Sequence, residues 1–354
     1  IIGVLDYCHF INGHDVDEFS KELGKYVSSE NVVPCANGTD ALQIALMSLD
    51  LKPGDEVILP AFTYAATAEV VALLGLVPVL ADVDPGTYNI LPADIEASVS
   101  GKTKAVMPVH LFGHSADMEP IMDIAKRNNL YVIEDNAQAL GARYSFSNGA
   151  GKYCGTIGHI GCTSFFPSKN LGCYGDGGAI FTQNESLSQK LKMIANHGQR
   201  IKYQHDLVGC NSRLDTIQAA VLRVKLKYLN LYTRSRQDAA NRYMGLLRNV
   251  DEIVLPKEEL YSTHVYHQFT IQVKKRDLLK DYLESKGIPS MIYYPYPIEK
   301  HAAFRTRVVK RVETPNALRL ANEVLSLPMH TELKVEEQIY ISETIKEFMV
   351  KNRR

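Results

Sequence analysis

An excess of charge of either sign is what this sequence most lacks. Lys and Arg together number 39 and Asp and Glu 40, a net charge of −1. No global field is available to hold nucleic acid or an anionic membrane, so neither is expected as a partner. Long apolar runs are missing too. The longest charge-free one, Val70 to Ala81, is interrupted by Gly75 and Pro78. It falls short of the roughly 20 residues a membrane helix needs and reads as a buried helix passing into a strand. Cysteine is scarce, with six residues and no CxxC spacing, which excludes a disulfide framework and points to a reduced, soluble, cytoplasmic protein. The start Ile1-Ile2-Gly3 has neither an initiator Met nor a basic stretch. It reads as a sequence whose native start lies upstream, not as a signal peptide. Tryptophan is absent as well, yet 45% hydrophobic residues in 354 suffice for a sizeable core and about two domains.

Residues 32 to 200 alternate short apolar runs with amphipathic ones. Asp40 to Leu49 carries Ala41, Leu42, Ala45, Leu46 and Leu49 at helical spacing, with Pro53-Gly54 as a stop. A strand is expected over 56–59, a helix over 63–74 and a strand over 77–83. Further buried strands are expected over 105–111, 130–134, 161–166 and 179–182, with a helix over 120–128. This rhythm implies an α/β fold with a mostly parallel sheet and helices on both faces. Ligands in such sheets sit beyond the carboxyl ends of the strands. Beyond residue 215 the texture changes. One long helix is expected over 216–248, a strand over 264–273, and helices over 277–286 and 336–351. The chain is therefore divided into a large domain, 1–229, and a smaller α/β domain, 230–354.

Three segments leaving strands carry the chemistry. Asn37-Gly38-Thr39-Asp40 opens a helix, where free N–H groups and the dipole suit a phosphate, or where Asn37 or Thr39 simply caps. Glu134-Asp135 ends an apolar strand with two carboxylates, which suit a cationic ligand group or a metal, or else a solvated turn. Lys169 follows Ser164-Phe165-Phe166-Pro167-Ser168, with Gly172, Gly175, Gly177 and Gly178 close behind. It is either a surface lysine or an amine made nucleophilic by desolvation. Cys154, His159 and Cys162 lack a fourth ligand, so no metal is expected. His110 and His114 read as turn histidines. Lys274-Lys275-Arg276 and the basic stretch from Lys351 to Arg354 read as solvated charge.

The segments NGTDALQIAL, PAFTYAATAEVV, VIEDNAQALGA, TSFFPSKNLGCYGDGGAIFT and GCNSRLDTIQAAVL resemble, in order, the signatures of the DegT/DnrJ/EryC1/StrS family. These are pyridoxal 5'-phosphate (PLP) aminotransferases acting on nucleotide-linked keto sugars. The resemblance implies the aminotransferase type I fold, with a mainly parallel seven-stranded sheet and a small C-terminal α/β domain. It also implies a homodimer with shared sites. By the same resemblance, Lys169 is the lysine that carries the cofactor and shuttles protons, and Asp135 faces the pyridine nitrogen. Gly38, Thr39 and Ser164 form the phosphate cup, Tyr64 stacks on the ring, and Gln138 lies beside the cofactor. Asn211 is the phosphate contact lent by the neighbouring subunit.

Arg213 stands two residues past Asn211, either to meet a substrate carboxylate or diphosphate or to pair with Asp215. The stretch Tyr293-Tyr294-Pro295-Tyr296-Pro297 resembles the family's HYPxP loop near the sugar, which makes Tyr293 and Tyr294 substrate-binding candidates. Tyr293 replaces the frequent histidine, and Glu299-Lys300-His301 and Asn136 also depart from the usual pattern. The wording around Lys169 is nearest to aminotransferases making 3-amino sugars. The expected reaction moves an amino group from glutamate to a nucleotide-linked 3-keto sugar such as UDP-2-acetamido-3-keto-glucuronate, for surface polysaccharide. The alternatives are a 4-keto sugar, a dehydratase (whose members carry histidine where Lys169 stands), or a non-catalytic sensor.

Overall fold

The computed structural model describes residues 1–352. Its centre is one sheet with strand order Asn31–Cys35, Gly178–Thr182, Ile160–Ser164, Tyr131–Asp135, Thr103–Val106, Glu56–Pro60, Val77–Ala81 and Val309–Lys310. Seven of these strands come from residues 31–182, and the two-residue strand Val309–Lys310 adds an eighth at the edge. From Ile160–Ser164 to Val309–Lys310 every pairing is parallel. Gly178–Thr182 runs antiparallel to both of its neighbours. The architecture is α/β, a large and mostly parallel sheet with helices packed on it.

The pleat decides which side chain serves which core. Val57 and Leu59 face one layer, with Ile44, Leu46, Val70 and Leu191 from the helices Gly38–Met47, Ala66–Leu73 and Glu185–Ala195. Ile58, Val79 and Val106 face the other, with Ile95, Ile121 and Ile124 from the helices Pro92–Ser98 and Met118–Arg127. Each such aliphatic side chain, fully buried, contributes roughly 1.5–3 kcal/mol. With both faces covered, the site has only the strand ends left to occupy.

The helix expected over 216–248 is two helices, Thr216–Leu226 and Leu229–Leu247. The first packs on His14–Val27 and the second on Val335–Lys351, so the break lets one apolar stretch serve two partners. A second core gathers around the sheet of Ile253–Val254, Phe269–Val273 and Val324–Leu327. The strand expected from His264 starts only at Phe269. Val265 and Gln268 instead donate their N–H groups to the carbonyls of Gly113 and Phe112, tying this segment to the loop beyond Thr103–Val106. Between the two pieces of the second core the chain returns to the large sheet, where Ile298, Phe304, Leu320 and Ala321 join its core.

No helix among the described residues is long and apolar enough to cross a membrane. All six cysteines are free.

Candidate active site

Loops leaving the carboxyl ends of the strands enclose a cavity of about 470 Å3, well within the size range of small-molecule sites. Of the residues singled out in the sequence, Gly38, Thr39, Tyr64, Asp135, Gln138, Ser164, Lys169, Tyr293 and Tyr294 line it. Asn211 and Arg213 do not. Asn211 is exposed beside Asn196, and Arg213 lines a different cavity with Lys21 and Lys192.

Lys169 lies in the loop after Ile160–Ser164, its N–H donated to the Phe166 carbonyl. Burial pushes its amine down to about 8, and the nearby Asp135 carboxylate pulls the other way. An ammonium that sheds its proton near neutral pH is a nucleophile at working pH. Asp135 is buried and ends its strand with both oxygens directed. Oδ2 accepts from the Thr67 hydroxyl at 3.0 Å and Oδ1 from the Ala137 N–H at 3.2 Å. Desolvation raises its pKa, which those two donors, Lys169 and His110 oppose. A carboxylate in that state gains from a cationic ligand group.

The helix Gly38–Met47 starts at the cavity wall. Asn37 caps it, its side chain accepting the Asp40 N–H at 2.8 Å. The Gly38 and Thr39 N–H groups, first in the helix, have no intrahelical partner. A Cβ at Gly38 would stand 2.7 Å from the Ser164 Cβ, so only glycine lets the helix start meet the strand end. Capping and anion cradle, weighed as alternatives in the sequence, coexist here. A phosphate suits the N–H donors at the helix start, a protonated pyridine nitrogen the Asp135 carboxylate and a carbonyl the Lys169 amine, all lining one cavity. The residues present therefore fit PLP.

Gln138 is fixed at both ends. Its Oε1 accepts the Phe112 N–H at 2.8 Å, and its Nε2 donates to the Tyr294 hydroxyl oxygen at 2.9 Å. The Tyr294 proton is thereby left free to donate elsewhere. Tyr64, 58% exposed, leans on Tyr294 with ring centroids 5.8 Å apart.

Several participants escaped the sequence reading. Thr67 stands one helical turn after Thr63, whose hydroxyl lies 3.3 Å from its own. That i, i+4 pair in PAFTYAAT was the available signal. His267, Gln268 and Asp176 also line the cavity, and no spacing pattern marks them. His110 and His114 flank the short turn Leu111–Gly113 as expected, but His110 is fully buried there. Its Nδ1 accepts the Ala116 N–H, so its Nε2 carries the proton and donates to Glu134 at 2.9 Å. His114 is likewise buried, its Nε2 accepting the Glu259 N–H. Nδ1 of His159, weighed as a metal ligand, accepts the Val132 N–H at 3.0 Å. Arg213 has no ion-pair partner among the described residues.

A lysine and a carboxylate facing one cavity at the strand ends of this sheet define an aminotransferase-type site. The family model of the DegT/DnrJ/EryC1/StrS aminotransferases matches residues 1–346, and the chain belongs to that family. It is 46% identical over 347 residues to a protein of Geobacillus stearothermophilus named pleiotropic regulatory protein, covering 98% of this chain and 92% of that one. It is 44% identical to the UDP-2-acetamido-2-deoxy-3-oxo-D-glucuronate aminotransferase of Pseudomonas aeruginosa, covering 92% and 89%. It is 46% identical to the UDP-N-acetyl-3-dehydro-alpha-D-glucosamine 3-aminotransferase of Acidithiobacillus ferrooxidans, covering 95% and 89%. Among solved structures, a family aminotransferase from Brucella abortus superposes with a TM-score of 0.93 at 42% identity, covering 98% and 93%. NtdA from Bacillus subtilis, with its cofactor PMP bound, gives 0.89 at 33% identity, covering 99% and 80%. The chain is a PLP-dependent aminotransferase.

Proposed function

We propose that this enzyme moves an amino group from glutamate to a nucleotide-linked 3-keto sugar, with UDP-2-acetamido-3-keto-glucuronate as the acceptor, for amino-sugar and surface-polysaccharide synthesis in the cytoplasm. The observation that carries the reaction is Lys169 and Asp135 facing one cavity, the amine brought down to about 8. Bound PLP supplies an electron sink for the carbanion that transamination generates. Asp135 would hold a proton on the ring nitrogen, and a positive charge there would return to that carboxylate the stabilisation burial takes away. Lys169 would hold the cofactor through its amine and, when free, could move a proton at its Nζ. Gly38, Thr39 and Ser164 would hold the phosphate, and Tyr64 would lie against the ring.

Amination at C3 is favoured by the relatives from Pseudomonas aeruginosa and Acidithiobacillus ferrooxidans, both named for it, and the uronate by the first of these and by an unpaired Arg213. Among the described residues Lys169 is the only lysine or arginine lining the cavity, whereas a nucleotide diphosphate and a uronate bring several negative charges. The shortfall is eased if a second copy of the chain lends the charge of Arg213, with the Asn211 amide beside it as a neutral donor, so we read the enzyme as a homodimer with shared sites. Phe166, which lines the cavity and is 51% exposed, suits a mouth closed by a partner. Residues 1–229 then form the PLP-binding domain and 230–354 the smaller one, with part of the latter returning to the large sheet.

A purely regulatory role gives no reason for a buried carboxylate and a lysine of lowered pKa to face one cavity. The test is incubation of the purified protein with PLP, glutamate and a panel of nucleotide 3-keto and 4-keto sugars, read by mass spectrometry. Fastest amination of the UDP 3-keto uronate is expected. Preference for a 4-keto sugar overturns the substrate, and amination of none overturns the reaction.

A further inference from the structure

We propose that His267 is a specificity-determining residue whose imidazole hydrogen-bonds a hydroxyl group of the acceptor sugar, close to the carbon that receives the amino group. The inference rests on the sugar-aminotransferase reading. His267 lines the cavity with Lys169 and Gln268, yet it is only 6% exposed. Its Nδ1 is buried without a hydrogen-bond partner and is closed to a molecule in the cavity. Its Nε2 makes no hydrogen bond among the described residues and is not buried in that way, so it is the nitrogen left for a ligand to meet.

The backbone around it is held from two sides. The Gln268 N–H donates to the Phe112 carbonyl at 3.3 Å. The Arg236 guanidinium donates to the carbonyls of Tyr266, His267 and Met329, at 3.1, 3.4 and 3.2 Å. Arg236 is itself buried and has no carboxylate partner among the described residues, so its charge stays near the imidazole.

Chemistry then selects the ligand. Burial first, then the charges of Lys169 and Arg236, hold the His267 pKa well below its ordinary value. A neutral imidazole carries one donor nitrogen and one acceptor nitrogen. A hydroxyl group, donor and acceptor at once, complements it. A carboxylate or phosphate prefers the helix start at Gly38 or an arginine. Since Lys169 is close enough for its charge to act on His267, a hydroxyl bound there lies near the reacting carbon. Glutamate brings no hydroxyl, so His267 should matter to one half of the reaction only.

The test follows the two half-reactions of the holoenzyme separately by cofactor absorbance, with glutamate as donor and UDP-2-acetamido-3-keto-glucuronate as acceptor. His267→Phe should leave the glutamate half within about twofold and lower kcat/KM for the acceptor roughly tenfold, the size of one lost hydrogen bond. His267→Gln, which keeps a donor and an acceptor, should recover most of that loss. If His267→Phe does not fold, His267→Asn serves. It is too short to reach, so it should show the same one-sided loss. Equal losses in both halves, or none with the acceptor, overturn the proposal. A wild-type enzyme that accepts the amino group from glutamate but ignores this acceptor sinks the substrate assignment instead. The same comparison then runs on whichever panel sugar is used.

Discussion

Glu134 and Asp135 are chain neighbours on one strand, and they lead opposite lives. Glu134 is saturated. Its carboxylate accepts the N–H groups of Gly155, Ile157 and Gly158 at 2.6–2.7 Å and the His110 ring at 2.9 Å. Asp135, turned to the other side by the pleat, faces the cavity with two donors and a pKa raised by burial. One acid closes the fold behind the site, and the other is left short of positive charge for a ligand to supply. A buried charge whose needs are met inside the chain is structural; one left short is where chemistry is to be sought.

Paired variants put that contrast to the test. Asp135→Asn should cut kcat on the order of a hundredfold to a thousandfold, the size of a removed charge-stabilising group, with PLP still bound. It should not destabilise the apoprotein. A carboxyl whose folded pKa lies above its unfolded value gives stability that is present at low pH and lost as pH rises through the folded value. At pH 7 the charged form is therefore a cost, and the amide removes it. Thermal unfolding should place Asp135→Asn at or above the wild type. Glu134→Gln should do the reverse and lose about 3 kcal/mol of stability, from backbone donors left badly paired. Activity per folded molecule should change less than with Asp135→Asn. If both variants damage the same property, the division of labour fails.

A smaller effect separates what the chain holds itself from what a second copy supplies. Inactive Lys169→Ala and Asn211→Ala chains, mixed with subunit exchange verified, should regain roughly a quarter of wild-type activity. Half of the dimers are then mixed, each with one intact site. Mixed dimers with no activity would mean self-contained sites. Arg213→Lys should lower kcat/KM for the uronate tenfold to a hundredfold, roughly 1.5–3 kcal/mol, because an ammonium lacks the fork. A 6-deoxy sugar should be spared.

The mildest prediction concerns pH. With Lys169 near 8, deprotonation on raising the pH makes the nucleophile. PLP capture by the apoprotein, followed by absorbance, should speed up about tenfold per unit below pH 7 and level off above roughly pH 9. A rate still climbing steeply at pH 10 would show an ordinary surface amine.

The sequence carried much of this because many of the cavity-lining residues sit in short runs at strand ends. Lys169, Asp135 and the Gly38 turn are legible from runs such as SFFPSKN and IEDNAQ. What separates Glu134 from Asp135 was not, since it lies in backbone amides of residues 155–158, distant in sequence and unmarked by side-chain pattern. The break at Lys227-Tyr228 was hidden for a related reason. Helical periodicity continues across it, and only the positions of two packing partners require it. His267 escaped because a histidine before a strand, with only His264 near it in the chain, matches no motif. Its role emerges from Arg236 and Lys169, 31 and 98 positions away.

The most direct test of the central claim is where the cofactor attaches. The holoenzyme would be reduced with borohydride, digested and mapped by mass spectrometry. One pyridoxyl group per chain is expected, on the peptide that contains Lys169. An adduct on any other lysine, or none in a protein that still transaminates, would contradict the account.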